Sequence, residues 1–207
     1  FERISLFDKI ILRPNLEKKI SVVSDYSGLP KGRCNLAYKA ASFLRQELGI
    51  RRGVVIEIKK SIPVGAGLGG GSSNAASVLI GLNKLWKLNL SQDKLLEYAA
   101  RLGSDVAFFL SNSRFAIGRG RGEILRPLTG LKKNIWHIVV VPRLKVSTKE
   151  IYKAWDREVR INKATCPRVR EERLLRQLAI SPQEALINSL EEVTFKKGEV
   201  ICSMSKH

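Results

Sequence analysis

The 207-residue chain is poor in the side chains that do much of the sulfur and imidazole chemistry of proteins: it has three cysteines and two histidines. Cys34, Cys166 and Cys202 form no metal-ligand spacing and no even disulfide framework, which excludes a zinc motif or a disulfide scaffold and fits a reducing compartment. His137 sits in the apolar run WHIVVV and reads as a strand or edge-of-core residue, not as a catalytic base. No apolar run approaches the length of a membrane span, and FERISLFDKI has neither the apolar stretch nor the cleavage pattern of a signal peptide. A soluble, cytoplasmic protein is expected. Acidic residues are also scarce, 19 against 37 Lys and Arg, giving a formal charge of +18. Such a charge raises a nucleic-acid partner through general phosphate attraction. The basic residues are spread along the chain, however, and no zinc-finger, RNP or KH-like signature accompanies them. A basic surface suited to a small polyphosphate substrate is the milder reading; a basic RNA- or protein-binding domain without catalysis stays as the alternative.

What is present is the patterning of a folded protein, with 44% hydrophobic and 27% charged residues. The opening FERISLFDKIILRP is strand-like, with Ile4, Leu6, Ile10 and Leu12 on even positions. Its start without methionine suggests that something precedes it. Residues 35–48 have helical spacing and are stopped by Gly49. VVIEIKKSIP alternates as a strand that Pro63 ends. SSNAASVLIGLNKLW is helical, with Ser72, Ser73 or Asn74 as first-turn cap, and Ser91 caps SQDKLLEYAARL, which Gly103 stops. SDVAFFL reads as a turn and short apolar run, FAIGRGRGEIL as a glycine-interrupted hairpin or bend, and WHIVVV as a strand. Ser147 with Glu150 and Ser181 with Glu184 have capping-box spacing. Residues 156–180 read as helix plus linker. Strands and helices alternate unevenly, so an α+β fold is preferred.

One stretch resists a packing explanation. SIPVGAGLGGGSSNAA, residues 61–76, concentrates Gly65, Gly67, Gly69, Gly70 and Gly71 between a strand and a helix, at a cost in backbone entropy and with little apolar surface in return. Glycines let backbone N–H groups converge, and a helix start adds four more without internal partners, so the pair forms a phosphate cradle. A tight strand-to-helix connection without a ligand is the other reading. The loop is not a P-loop, because no Gly-Lys-Ser or Gly-Lys-Thr closes it. Gly65, Gly67 and Gly70 match the dinucleotide spacing G-x-G-x-x-G, but the acidic residue needed about 20 positions on is not there.

The run from Pro63 to Ala76 resembles the phosphate-binding motif of the small-molecule kinases that include galactokinase, homoserine kinase and mevalonate kinase. The triple glycine followed by Ser-Ser-Asn-Ala-Ala is most similar to the branch acting in isoprenoid precursor synthesis. The likeness extends to Asn35-Leu36 and to Leu102-Gly103-Ser104-Asp105-Val106. It implies a two-domain kinase fold whose N-terminal domain is a ribosomal-protein-like α/β sandwich, with a partial nucleotide-binding domain over residues 1–135 and a partial substrate-side domain over 136–207. It further implies ATP with Mg²⁺ and transfer of phosphate to the 2-hydroxyl of a cytidine diphosphate alcohol. A sister activity on homoserine or mevalonate-type alcohols is the alternative.

Residue by residue, the resemblance implies that Pro63, Val64, Gly65, Ala66, Gly67, Leu68, Gly69, Gly70, Gly71, Ser72 and Ser73 wrap the ATP phosphates. Lys60 meets nucleotide phosphate or ribose on this reading; by position alone it is a solvated strand end. Asn35 is a helix cap on physical grounds, and the resemblance places it near the adenine. Asp105 takes the role of catalytic carboxylate, orienting the hydroxyl and accepting its proton; on residue chemistry alone it would equally cap a short helix. Tyr152, four residues after Thr148 on one helical face, matches an aromatic that stacks on cytosine, and in isolation it is a half-buried packing residue. Gly118 to Gly122, with Arg119 and Arg121, reads as an exposed bend. Serine at 104 replaces a more usual alanine. The family's Pro-Ala-Lys-x-Asn-Leu, Gly-Tyr-His and late glycine-rich segments do not occur, so the chain reads as the middle of such a kinase, and this chain alone is expected to be impaired or inactive.

Overall fold

The computed structural model describes residues 1–111, 113–120, 122, 124–128, 135–141, 148–162 and 194. The chain divides into two compact units, Phe1–Gly130 and Leu131–His207.

The first unit is built on a mixed sheet of β1 (Lys9–Asn15), β2 (Ile20–Ser24) and β3 (Gly53–Lys59). β3 lies in the middle, antiparallel to β1 and parallel to β2. Its alternation decides its facing: Val54, Ile56 and Ile58 are buried, whereas Val55 and Glu57 between them are only half-buried. Two helices close over the apolar side. α1 (Leu36–Glu47) offers Ala37, Ala40, Ala41 and Leu44, and α2 (Gly70–Leu85) offers Ala75, Val78, Leu79 and Leu82, all buried at helical spacing. The alanines let the two helices approach each other closely. At Gly81 a Cβ would lie 2.4 Å from Leu12 Cδ1, so β1 touches the backbone of α2.

Asn35 caps α1 through its side-chain oxygen, which accepts from the Ala37 N–H at 2.8 Å, and Gly49 follows the helix at φ +62°. Ser91 caps α3 (Gln92–Leu102) by accepting from the Lys94 N–H, and Gly103 ends it. The hairpin expected in FAIGRGRGEIL is present as β4 (Phe115–Arg119) antiparallel to β5 (Ile124–Leu128). This mixture of helix and strand is the expected α+β fold.

Four sequence expectations need correction. The opening run is regular strand only from Lys9, preceded by an isolated bridge from Glu2 to Phe115. SDVAFFL is a helix, α4 (Ser104–Leu110), whose Val106, Ala107, Phe108 and Leu110 are buried; seven residues span fewer than two helical turns, too few for the repeat to be read. α2 starts at Gly70, capped by Gly69 without a side-chain bond, and not by Ser72, Ser73 or Asn74. WHIVVV is not a strand: Trp136 is 92% exposed and Ile138 94% exposed, His137 is exposed beside them, and no described strand pairs with this segment. Apolar alternatives to a strand cannot be told apart by periodicity when the partner edge is missing from the pattern.

In the second unit, α5 (Thr148–Asn162) is the long described element, with Ile151 buried. Ser147 and the Ser181 capping box lie outside the described residues, as do residues 163–180 of the expected helix and linker.

Candidate nucleotide-binding site

β3 delivers the chain at Lys59, and the connection Lys60 to Gly69 leads into α2. Gly65, Gly67 and Gly69 all have left-handed φ, from +67° to +76°. At Gly69 a second constraint is added: a Cβ would lie 2.9 Å from Phe109 Cε2. Glycine is therefore required there both by backbone conformation and by the aromatic ring that α4 lays against the loop. Because Gly69 has no side chain to cap α2, the first closed bond is that from the Ser73 N–H to the Gly69 carbonyl, 2.9 Å. The N–H groups of Gly70, Gly71 and Ser72 have no partner within the helix and lie at its positive end. A ring of donors around a helix start, free of side-chain caps, is what a phosphate requires.

The loop lines a cavity of about 300 Å³ together with Asn35 and Lys60. Of the residues expected at the nucleotide, Asn35, Lys60 and the whole run Pro63 to Ser72 converge on this one space. Ser73 faces a neighbouring cavity of about 220 Å³, shared with Asp8 and Phe109. Its hydroxyl donates to the Gly70 carbonyl, which leaves Ser72 as the loop hydroxyl at the larger cavity. Asn35 caps α1 as its position suggested, and its side-chain amide also donates to the Pro30 carbonyl at 2.7 Å on the cavity wall.

Lys60 is not a solvated flank. Its side chain is 8% exposed and its ammonium is paired with Asp8, whose side chain is 0% exposed. Asp8 was not singled out in the sequence. Its Oδ1 accepts from the Ser61 and Ile62 N–H groups, both at 2.8 Å, and its Oδ2 accepts from Asn74 Nδ2 at 2.9 Å as well as from Lys60. Burial pushes the Asp8 carboxyl up, but the bonds from Lys60, the two backbone amides and Asn74 outweigh it and hold the group below the usual carboxylate range. On the other flank, Asp25 accepts from the Lys60 N–H at 3.0 Å.

Asp105 lies exposed in the first turn of α4; Gly103, not Asp105, occupies the cap position. The carboxylate is not among the groups lining the loop cavity. The helix that carries it is nonetheless fixed: Phe109 meets Gly69, and the Arg3 guanidinium donates to the Phe108, Phe109 and Ser111 carbonyls at its far end. A Cβ at Gly122 would lie 3.3 Å from Ser104 Cβ, so the hairpin bend sits beside the start of α4. In the second unit Tyr152 stands one turn after Thr148 on α5 and is 54% exposed, which favours an open ring over the packing role. Among the described residues no three His, Cys, Asp or Glu side chains group as metal ligands, and no helix is long and apolar enough to cross a membrane.

Comparison with known proteins gives one answer from three directions. Residues 35–113 match the family described as GHMP kinases N terminal domain. The chain is 44% identical over 155 residues to the 4-diphosphocytidyl-2-C-methyl-D-erythritol kinase of Alkaliphilus metalliredigens, covering 75% of this chain and 53% of that protein. It is 38% identical over 205 residues to the enzyme of the same name from Alkaliphilus oremlandii, covering 99% of this chain and 70% of the relative. A crystal structure of 4-(cytidine 5'-diphospho)-2C-methyl-D-erythritol kinase superposes with a TM-score of 0.69 at 32% identity, covering 95% of this chain and 67% of that one. The chain thus spans between 53% and 70% of the length of these relatives. With 38% identity sustained across 99% of its length, the chain belongs to the 4-diphosphocytidyl-2-C-methyl-D-erythritol kinase family.

Proposed function

We propose that this chain carries the nucleotide site of an ATP-dependent kinase that phosphorylates the 2-hydroxyl of 4-diphosphocytidyl-2-C-methyl-D-erythritol. The observation that carries the reading is the convergence of Asn35, Lys60 and the uncapped glycine loop on one cavity, in a chain whose relatives bear that enzyme's name. Phosphoryl transfer asks for positioning and for neutralisation of the charge on the moving group more than for covalent chemistry. The N–H groups of Gly70, Gly71 and Ser72 supply fixed donors to phosphate oxygens without reorganisation, and the helix dipole adds to them.

Asp105 is the residue assigned to orient the acceptor hydroxyl and take its proton. It sits in the first turn of α4, the helix whose Phe109 meets the loop at Gly69. Mg²⁺ fits this site as an ion carried mainly by the phosphates, since such ions take few protein ligands beside nucleotide oxygens; Ser72 is the loop hydroxyl available to it. When bound, it would neutralise phosphate charge. Thr148 and Tyr152 are assigned to the cytosine end of the acceptor. A sister specificity for homoserine or mevalonate has less support, because the relatives over most of the chain are named for the cytidine substrate.

The test is ADP formation with Mg²⁺-ATP and each of the three acceptors offered separately, before and after Asp105→Asn. Turnover with the cytidine acceptor alone, reduced about 10²–10⁴-fold by the substitution, is expected for loss of a general base. Equal turnover in the variant would remove Asp105 from that role, and turnover confined to homoserine or mevalonate would replace the acceptor.

A further inference from the structure

The glycine loop is a long connection, and its own composition supplies little to hold its shape. Gly65 and Gly67 have nothing within 4 Å of where a Cβ would stand, and Gly71 likewise meets open space. A cradle of N–H groups is useful only if it is already in place when phosphate arrives, because ordering it on binding would consume the binding energy. Something must therefore fix the two ends of the loop relative to one another.

The residue placed to do so is remote from it in sequence. Asp8 stands immediately before β1, whose Lys9 pairs with Lys59 at the end of β3, so its carboxylate is delivered to the point where the chain leaves the sheet. One oxygen takes the N–H groups of Ser61 and Ile62, at the entry to the loop. The other takes Asn74 Nδ2 from α2, past the exit of the loop, and the Lys60 ammonium. That ammonium in turn lies against the start of α2, 3.4 Å from where a Gly70 Cβ would be. A fully buried charge with four donors is expensive unless every bond is made, which gives the arrangement one well-defined geometry. Asp8 faces the smaller cavity and does not line the one assigned to nucleotide, so its effect reaches the phosphates through the loop backbone and through its partners Lys60 and Asn74, which do line it.

We propose that Asp8 is a positioning residue that clamps both ends of the glycine loop, through Ser61 and Ile62 at the entry and Asn74 with Lys60 at the exit, and thereby sets the N–H cradle for nucleotide phosphate. The inference rests on the nucleotide-binding reading given above. An amide at position 8 would keep an oxygen for Ser61 and Ile62 but turn an N–H₂ group toward the donors of Asn74 and Lys60, so the exit of the loop would be released while the entry stayed held.

The test is calorimetric titration of the whole chain with a non-hydrolysable ATP analogue in Mg²⁺, at a temperature where circular dichroism shows each variant folded. Asp8→Asn is expected to weaken binding about tenfold or more, as fits the loss of a charge-assisted bond. Exchanging the partners, Asp8→Asn with Asn74→Asp, restores a donor facing an acceptor and is expected to recover most of the affinity, which a general loss of stability would not produce. Should Asp8→Asn fail to fold, Asn74→Ala, which removes a single donor from α2, is expected to weaken binding several-fold; because Asn74 also lines the nucleotide cavity, recovery in the exchanged pair is what assigns that loss to the clamp. Unchanged affinity in a folded Asp8→Asn or Asn74→Ala variant, or no recovery in the exchanged pair, would overturn the clamp and leave the kinase reading standing. A wild-type chain that binds no nucleotide analogue would overturn the kinase reading, and the clamp with it.

Discussion

Replacing Gly69 with alanine separates the conformational demand of the loop from its binding role. Gly69 has φ +67°, and an added Cβ would lie 2.9 Å from Phe109 Cε2 and 3.0 Å from Cζ. A left-handed conformation costs an alanine about 1–2 kcal/mol relative to glycine. Pressing a methyl against a packed ring adds about 1–2 kcal/mol, at the lower end of overpacking effects. Gly69→Ala should thus destabilise the first unit by about 2–4 kcal/mol. Gly71 provides the control two residues later, because it lies in α2, has no positive φ, and its Cβ would meet nothing within 4 Å. There alanine should stabilise by about 0.5–1 kcal/mol through reduced unfolded-state freedom and better helix propensity. Urea unfolding of both variants reads the contrast as opposite movements of the midpoint with an unchanged slope. Adding Phe109→Leu to Gly69→Ala should return the steric part and leave the conformational part. A Gly69→Ala variant as stable as the parent, or one no less stable than Gly71→Ala, would refute the requirement for glycine at this position.

Three further outcomes are expected. The Asp8 carboxyl is held below its ordinary value, so the stability it contributes is complete above the unfolded carboxylate pKa of about 4 and is lost as pH falls through the lower folded value; acid titration of the unfolding midpoint should show a steeper acid limb in the parent than in Asp8→Asn. Tyr152→Ala should raise KM for the cytidine acceptor while leaving KM for ATP unchanged, and an equal rise in both would remove the ring from base recognition. Leu79→Ala, in a fully buried position of α2, should cost about 2–5 kcal/mol in urea unfolding, and a loss below 1 kcal/mol would show that α2 does not carry the core.

Much of the first unit was legible because its signals are local. Asn35 before a helical pattern, Ser91 before another, Gly49 and Gly103 after them, and the alternation of Val54, Ile56 and Ile58 each report a backbone preference that the packed chain keeps. The glycine loop was legible for the same reason: five glycines within seven residues, three in the connection and two in the first turn of α2, need an explanation that packing does not offer. What escaped depends on contacts distant in sequence. Asp8 is one acid in an alternating run, and its partners Lys60 and Asn74 lie 52 and 66 residues away. The only available signal was a charged residue interrupting an apolar strand pattern. Gly69 as a cap escaped because capping is read from side chains, and this helix starts without one. α4 escaped because it is shorter than two helical periods plus a cap, and WHIVVV was misread because apolar content does not name a pairing edge.

The central claim, that the start of α2 receives nucleotide phosphate, is tested most directly by the backbone amide resonances of the chain as Mg²⁺-ATP is added. The N–H signals of Gly70, Gly71 and Ser72 should move saturably and together, while those of Gly49 and Gly81, away from the loop, stay in place. Resonances of α2's first turn that remain still while others shift, or a chain in which none responds, would contradict it.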